Sequence, residues 1–239
     1  MNNVNDKLYI VIPAYNEEAN IKNVVENWYK VLDVANDSSR LVVADSGSSD
    51  HTHELLLNLK DTHDKLVIIS DTLKEHGPKL IALYKYAINK EASYIFQTDA
   101  DGQTNPNEFY GFWELKSEYD IVIGNRKVRG DGFLRKFVEI VVCGLLRIYF
   151  GIIVPDANAP FRLMKREVLV KYINRFDDSY NLPNIMLTAY FKYYNEKMLF
   201  KEITFKNRQG GKNSINIKKI FMIGVNALSD FRSFRKGMN

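Results

Sequence analysis

Alternating strand and helix signals in the first half of the chain constrain its fold more than any other feature. Short apolar or β-branched runs predict strands at 8–12, 41–44, 66–69, 94–98 and 121–123. Apolar residues at helical spacing predict helices at 17–34 and 78–89, with further helices after Asp50 and from Pro106. Such alternation builds βαβ units, so the sequence predicts one Rossmann-like α/β domain over residues 1–239, with a mostly parallel sheet flanked by helices.

Polar residues follow three of these strands, at the edge where open α/β sheets bind ligands. Asp99 and Asp101 come directly after the strand at 94–98, and in extended backbone their side chains face the same way. Two carboxylates so close repel each other unless a cation lies between them. Gln103 adds a neutral oxygen on the same loop, and oxygen is the ligand that Mg²⁺ and Mn²⁺ prefer. The pattern predicts a metal site at Asp99, Asp101 and Gln103; a polar turn with solvated acids is the alternative.

Several other classes of site are excluded. A dinucleotide-binding enzyme would carry G-x-G-x-x-G after the first strand and a P-loop enzyme G-x-x-x-x-G-K-[ST], and the sequence contains neither. The single cysteine, Cys143, excludes an internal disulfide framework and is typical of a reducing compartment. The four histidines, His51, His53, His63 and His76, form no convincing metal set, so no zinc site is predicted.

Charge divides the chain into two halves. Residues 1–124 contain 11 Lys and Arg against 20 Asp and Glu, whereas residues 125–239 contain 22 against 9. A basic half favours an anionic partner, either phosphates, nucleic acid or an acidic membrane surface, with a solvated basic face as the alternative. The first residues lack the pattern of a signal peptide, and no run of about 18 apolar residues predicts a membrane span.

Six motifs carry a resemblance to a known family. They are IVIPAYNEEANI at 10–21, VVADSGSSDHT at 42–52, DADGQ at 99–103, GNR at 124–126, DANAPFRLMKR at 156–166 and RQGGKNSIN at 208–216. In this order and spacing the chain resembles an inverting family 2 glycosyltransferase with a GT-A fold, in the branch around dolichol-phosphate mannose synthase and bacterial polyprenyl-phosphate glycosyltransferases. The resemblance implies a nucleotide-sugar donor, UDP- or GDP-linked, and Mg²⁺ or Mn²⁺ as cofactor.

The resemblance assigns roles on the nucleotide-sugar side, in the half formed by residues 1–124. Asp99 and Asp101 match the D-x-D pair that holds the metal and the diphosphate, and Gln103 matches a further metal contact. Asp45 matches the acid that reads the base, although Ser46 replaces a second Asp, which leaves the base open. The loop that packs against the nucleotide is matched by Pro13, Ala14, Tyr15 and Glu17.

Two positions near this site are expected to matter less. The family's Gly-Lys-Gly after the third strand is replaced by Gly77, Pro78 and Lys79, so this loop receives little weight. Asp50 is expected to cap a helix.

The basic half supplies candidate phosphate ligands. A departing nucleoside diphosphate gains negative charge, which preplaced cations stabilise. Arg126, Arg162, Lys206 and Arg208 are expected to contact the nucleotide sugar or its leaving group, with glycines 210–211 as a hinge. With Asp101, Arg126 and Arg208 are the predicted catalytic residues.

The acceptor is predicted from a missing acid. A hydroxyl acceptor needs a general base, and relatives that use one carry an acidic pair where this chain has residues 181–185, which contain no acid. Asp177 and Asp178 lie just upstream and stay open as candidates, with helix capping as the alternative. A phosphate acceptor is already ionised, so the sequence favours a polyprenyl phosphate, with its anion held by Arg126, Arg135 and Lys136.

Two amphipathic segments in the acceptor-side half, 133–150 and 217–234, are either core helices or membrane-surface helices. The expected location is the cytoplasmic face of a membrane, bound to its surface or to a membrane-protein partner. Two alternatives stay open: transfer to a saccharide hydroxyl in polysaccharide synthesis, and a non-catalytic subunit that binds a nucleotide sugar. Nucleic acid is not an expected partner, because it would not explain the acidic loops.

Overall fold

A computed structural model describes residues 6–127, 133–208 and 231–235, with the side chains of 133–135 outside the description. Within these residues seven strands form one sheet. They are β1 Leu8–Ala14, β2 Arg40–Asp45, β3 Leu66–Ile69, β4 Tyr94–Thr98, β5 Ile121–Asn125, β6 Phe161–Lys165 and β7 Met198–Glu202. Their order across the sheet is β3-β2-β1-β4-β6-β5-β7.

The sheet is mostly parallel, as predicted. The pairs β1–β2, β1–β4, β2–β3 and β5–β7 are parallel, and β6 runs antiparallel between β4 and β5. The sequence analysis predicts the first five strands but neither β6 nor β7. In β6 a charged residue, Arg162, interrupts the apolar run and hides its strand pattern, and it pairs with Gln97 on β4 and Ile123 on β5.

Helices cover both faces of the sheet. They are α1 Ile21–Val31, α2 Thr52–Lys60, α3 His76–Asn89, α4 Phe109–Trp113, α5 Phe133–Phe150, α6 Arg166–Ile173 and α7 Pro183–Tyr193. The first helix is shorter than its predicted span of 17–34, because a turn at Glu17 precedes it and a 3₁₀ turn at Leu32–Val34 follows it. The third helix begins at His76, two residues before the predicted start.

Two apolar cores result from the alternation of side chains along the strands. Tyr9 and Val11 of β1 face the core beneath α3, α5, α6 and α7. Leu8, Ile10 and Ile12 face the opposite core, beneath α1, α2 and α4. Both faces of the sheet are therefore buried, as parallel sheets require.

The helix α5 has one buried and one exposed apolar face. Val142, Leu146 and Phe150 belong to the core, and Phe231, in the last described stretch, packs on Phe150 with ring centroids 5.6 Å apart. The other face leaves Ile148 76% exposed, together with Phe137, Ile140 and Val141. The buried face fits the prediction of a core helix, and the exposed face fits the alternative of a membrane-surface helix. Most of the second amphipathic segment, 217–234, lies outside the described residues. In the described part of the chain, no helix is both long and apolar enough to cross a membrane.

Candidate active site

Three loops meet where β1, β2 and β4 end. The first loop is tied to the second by the amides of Asn16 and Glu17, which donate to Ser48 Oγ at 3.0 Å and Thr52 Oγ1 at 2.8 Å. Asp50 accepts hydrogen bonds from the amides of Thr52 and Glu18, so it organises the turn before α2, whose N-cap residue is His51. The third loop, after β4, carries Asp99 and Asp101. The structure therefore brings together the polar residues predicted for the nucleotide-sugar side.

The D-x-D pair holds more negative charge than its surroundings balance. Burial and the neighbouring charge of Asp99 raise the pKa of Asp101 to about 6, against the lowering effects of the Gln103 amide and Arg208. The Gln103 amide donates to Asp101 Oδ1 at 3.1 Å across a turn in which Gly102 has φ +71°. A positive φ of this size favours glycine.

A buried polar chain positions Asp99 from behind. Gln97 Nε2 donates to Asp99 Oδ1 at 3.2 Å, and Gln97 Oε1 accepts from Asn184 Nδ2 at 3.1 Å. Asn184 Oδ1 accepts from the Tyr84 hydroxyl at 2.9 Å. Strand β4 and helices α3 and α7 thus fix one carboxylate of the pair. On its open side, His76 Nε2 lies 3.2 Å from Asp99 Oδ1.

The loop after β1, which is predicted to pack against the nucleotide, is held by a buried lysine. Pro13 and Ala14 lie in β1, beside Ala44 and Asp45 of β2. Lys79 Nζ donates to the Ala14 carbonyl at 2.6 Å and lies 5.2 Å from the centre of the Tyr15 ring. Burial lowers the pKa of Lys79 to about 8.

Asp45, the predicted base reader, has a buried side chain with two partners. Ser48 Oγ donates to its Oδ1, and His53 Nδ1 lies 3.1 Å from its Oδ2. Ser46, where a second acid is common in the family, contacts Thr72 with 2.8 Å between the hydroxyl oxygens.

The C-terminal part of the described chain closes on the same edge. Arg208 Nη2 donates to Glu17 Oε1 at 2.5 Å, and Asn20 Nδ2 donates to the other oxygen of Glu17 at 2.9 Å. Gln103 Nε2 donates to the Lys206 carbonyl at 2.7 Å, and the Lys206 amide donates back to the Gln103 carbonyl at 2.9 Å. The side chain of Lys206 is exposed. The predicted hinge at 210–211 lies outside the described residues.

Arg126 lies in a buried ion-pair network. Its Nε and Nη2 donate to Asp156 at 2.7 and 2.8 Å, Glu139 lies 3.6 Å from Nη2, and the Phe205 ring centre is 5.0 Å from its guanidinium carbon. The predicted roles in catalysis and in acceptor binding remain predictions, but the side chain is engaged by two carboxylates here. Lys136 is exposed on α5, and the side chain of Arg135 lies outside the described residues.

Arg162 does not occupy the predicted position of a nucleotide-sugar ligand. Its guanidinium is fully buried and donates to the carbonyls of Ala157, Ala159 and Asn184 and to Thr188 Oγ1, at 2.7 to 3.0 Å. The cause is β6, which runs through the middle of the sheet and turns this side chain inward. Arg162 holds the backbone of Asn184, whose side chain leads to Asp99, and so acts behind the site.

The acids near the acceptor side are engaged at the surface. Asp177 accepts from the amide and hydroxyl of Ser179 at 2.9 and 2.6 Å, and Asp178 pairs with Lys85 at 2.6 Å. Asn184, in the segment where an acid was sought, is buried within the chain that supports Asp99.

The D-x-D region fits a hard divalent cation that shares its ligands with a diphosphate. No group of three His, Cys, Asp or Glu side chains is arranged to hold a metal ion among residues 6–127, 133–208 and 231–235. Asp99 and Asp101 nevertheless supply carboxylate oxygens at one point, where burial and the neighbouring charge of Asp99 raise the pKa of Asp101. Mg²⁺ sites are commonly built in this way, with one or two carboxylates and substrate phosphates.

Sequence analysis missed two residues of this edge, His76 and Lys79. Both lie in the first turn of α3, around the Gly77–Pro78 pair that departs from the family pattern. The loop follows β3, which ends at the same edge of the sheet as β1, β2 and β4. Its position after a strand end was the signal by which the sequence could have indicated both residues.

The comparison with protein families agrees with the fold. The family model described as glycosyl transferase family 2 matches residues 9–173. This match spans more than half of the chain, which therefore belongs to the family 2 glycosyltransferases, and its α/β fold is of the GT-A type.

Relatives of known name are distant. An undecaprenyl-phosphate 4-deoxy-4-formamido-L-arabinose transferase of Proteus mirabilis is 22% identical over 94% of this chain and 67% of its own length. The uncharacterized glycosyltransferase YkcC of Bacillus subtilis is 26% identical over 93% of this chain and 67% of its own. Another uncharacterized glycosyltransferase, from Synechocystis, is 28% identical over 68% of this chain. The chain spans 51 to 67% of the length of these three relatives.

Solved structures share the fold at low identity. Glucosyl-3-phosphoglycerate synthase of Mycobacterium tuberculosis, crystallised with Mn²⁺, UDP-glucose and glycerol 3-phosphate, has a TM-score of 0.67 at 16% identity, over 97% of this chain and 80% of that one. TarS of Staphylococcus aureus has a TM-score of 0.57 at 18% identity, over 84% and 60%.

Proposed function

We propose that this glycosyltransferase moves one sugar from a nucleotide sugar to a polyprenyl phosphate, with a divalent metal ion and with inversion at the anomeric carbon. The observation that carries the acceptor assignment is Asn184. This amide stands in the segment where an acid would serve a hydroxyl acceptor, and it is bonded to Gln97 and Tyr84. The undecaprenyl-phosphate transferase from Proteus supports the same acceptor class by its name.

On the nucleotide-sugar side, the chain's own residues bind and neutralise the leaving group. Asp99 and Asp101 would hold the metal ion, which would supply positive charge to the departing diphosphate. Arg208 adds a guanidinium, held near the pair by Glu17. Tyr15 and Asp45 hold the nucleoside at the ends of β1 and β2. UDP and GDP are both compatible with this arrangement, and the carboxylate oxygens of Asp99 and Asp101 suit either Mg²⁺ or Mn²⁺.

On the acceptor side, the chemistry needs no proton to be removed. A phosphate monoester is mostly ionised at pH 7, since its second pKa is about 6. A hydroxyl must lose its proton during attack, and a positioned base contributes about 10²–10⁴-fold to that step. The surface acids Asp177 and Asp178 already serve Ser179 and Lys85, and an amide at Asn184 accepts no proton. The residues of this region therefore suit an acceptor that arrives charged.

The acceptor assignment is tested by offering one enzyme preparation three acceptors. Labelled UDP- and GDP-sugars are incubated with undecaprenyl phosphate, with undecaprenol and with short saccharides, in Mg²⁺ or Mn²⁺ and in excess chelator. We expect metal-dependent label only in the lipid phosphate, with the opposite anomeric configuration to the donor. Transfer to undecaprenol or to a saccharide, but not to the lipid phosphate, contradicts the proposal.

The exposed face of α5 supports docking on a membrane surface. Its outer apolar residues, Phe137, Ile140, Val141 and Ile148, lie on a helix that also exposes Lys136 and Arg147. Apolar side chains flanked by cations are typical of helices that lie in the interface of an anionic bilayer. A lipid acceptor resides there, so this docking would bring the enzyme to its substrate, at the cytoplasmic face.

Vesicle sedimentation tests this docking. We expect binding to vesicles that contain anionic lipid at low salt, and release as salt screens the charges. Ile140→Glu with Ile148→Glu should abolish sedimentation, whereas Leu57→Glu, on α2 and 49% exposed, should leave it unchanged. Equal loss in both variants, or equal binding to neutral vesicles, contradicts an α5 membrane face.

A further inference from the structure

His76 is held rigidly at the first turn of α3. Its neighbour Gly77 touches the loop before α7 so closely that a Cβ there would lie 2.5 Å from backbone atoms of Asn181. Any other residue at 77 would push the helix start away. The close approach therefore fixes the backbone from which the side chain of His76 extends.

The imidazole faces a carboxylate that is itself fixed. His76 Nε2 lies 3.2 Å from Asp99 Oδ1, the oxygen that also accepts from Gln97 Nε2 at 3.2 Å. Half of the His76 side chain is exposed, with a relative accessibility of 55%, so it borders the cleft. A nitrogen and an oxygen are thus preplaced side by side at the mouth of the D-x-D loop.

This separation matches two neighbouring ligands of one cation. In an octahedral site with bonds of 2.0–2.1 Å, adjacent ligand atoms are about 2.9 Å apart. A neutral imidazole is a common metal ligand, and its proton is released when the metal binds. An isolated His–Asp ion pair would also give this contact. A lone ion pair would not require a second carboxylate, and the D-x-D spacing places one, Asp101, two residues along the same loop.

We propose that His76 is a ligand of the divalent cation beside Asp99, and that its nitrogen makes the site favour Mn²⁺ over Mg²⁺. This inference rests on the metal dependence in the proposed function. Phosphate oxygens of the nucleotide and water complete the ligand set. Asp101 joins it when the cation binds, because without the cation His76, Asp99 and Asp101 form no three-ligand cluster among the described residues. Magnesium is a hard cation that retains oxygen and water ligands, whereas Mn²⁺ accepts an imidazole nitrogen more readily, so the imidazole adds more to Mn²⁺ binding.

Manganese itself is the probe for the experiment. Pulsed electron paramagnetic resonance of Mn²⁺ bound to the full chain with UDP, and separately with GDP, detects ¹⁴N bonded directly to the metal. We expect a nitrogen signal that His76→Gln removes. The matched control is His51→Ala, because His51 also touches a carboxylate, Glu54, at 3.1 Å, but at the surface. The control should keep the signal.

Affinities measured by titration complete the test. His76→Gln should weaken Mn²⁺ binding at least about tenfold, the size typical of losing support at a metal site. Mg²⁺ binding should change less than threefold. Three results would overturn the role of His76 but not the metal dependence. They are bound Mn²⁺ without a nitrogen signal, a signal that survives in His76→Gln, and an Mn²⁺ affinity that rises in this variant. Absence of Mn²⁺ binding in the unmodified chain, with either nucleotide, overturns the proposed metal dependence as well.

Discussion

Charged side chains are arranged differently in two regions of the molecule, the edge where β1, β2 and β4 end and the interior around β6. At the edge, burial and the neighbouring charge of Asp99 raise the pKa of Asp101 to about 6. In the interior, Arg126 is clamped by Asp156, and Arg162 donates to three carbonyls and a hydroxyl. Carboxylates that lie close together are available to bind a cationic ligand, whereas arginines paired within the interior stabilise the fold. The family motifs contain both kinds, so a motif match alone does not separate them.

The largest effect is expected at the unbalanced edge. Asp101→Asn should lower sugar transfer at least about 100-fold, since it removes a charge that positions the leaving group. Folding should not suffer. The folded-state pKa of Asp101 lies above its usual value of 3.8, so its charged form costs stability as pH rises from about 4 to 6. Thermal unfolding without metal should show the variant gaining stability over the parent across this window.

Loss of stability with loss of activity in Asp101→Asn would contradict this view of the edge. Activity close to that of the parent in excess chelator would contradict it as well.

The interior should respond in the reverse manner. Arg126→Ala removes the guanidinium that donates twice to the buried carboxylate of Asp156, and breaking a buried pair typically costs about 3–5 kcal/mol. Lys127→Ala is the matched control, because its partner Glu202 is exposed and such surface pairs contribute about 0–1 kcal/mol. Urea denaturation measures both. A stable Arg126→Ala variant that has lost only acceptor binding would return this residue to the acceptor site.

Sequence analysis was most successful where local pattern and topology agree. Strand-end loops in a parallel sheet meet at one edge, so Glu17, Asp45 and Asp99 could be placed together before their contacts were seen. The ends of β3 and β4 followed from short apolar runs. At this edge, the loop after β3 was undervalued because its glycine pattern departs from the family, and His76 and Lys79 were missed with it.

The interior could not be derived in the same way. Arg126 meets Asp156 and Glu139 only because β6 inserts antiparallel between β4 and β5. No local pattern indicates that pairing, and a single arginine within an apolar run looks the same whether it faces a ligand or the core. The assignment of Arg162 to the nucleotide sugar failed for this reason.

A smaller effect on stability and activity is expected for Asp50 than for Asp101, although both acids lie at the same edge. Burial raises the pKa of Asp50, but hydrogen bonds from Thr52 and Glu18 outweigh burial and lower it. Asp50 therefore stabilises the fold at pH values above its usual pKa, and this contribution decreases as the pH falls below about 4. Asp50→Ala should cost about 1 kcal/mol at pH 7, as for a lost helix cap, with transfer changed only a few-fold. Its stability difference should shrink on acidification, opposite to Asp101→Asn. A hundredfold loss of activity in Asp50→Ala would place it among the binding groups.

The smallest effect is expected at the acceptor-side acids. Asp177 accepts from Ser179, and Asp178 pairs with Lys85, both at the surface. Replacing both acids by Asn should leave the free energy of unfolding nearly unchanged and should change transfer by less than threefold. A true general base would cost about 10²–10⁴-fold, which steady-state rates with undecaprenyl phosphate distinguish clearly. An inactive but folded double variant would instead mean that the acceptor is a hydroxyl, because only a hydroxyl needs a carboxylate to take its proton.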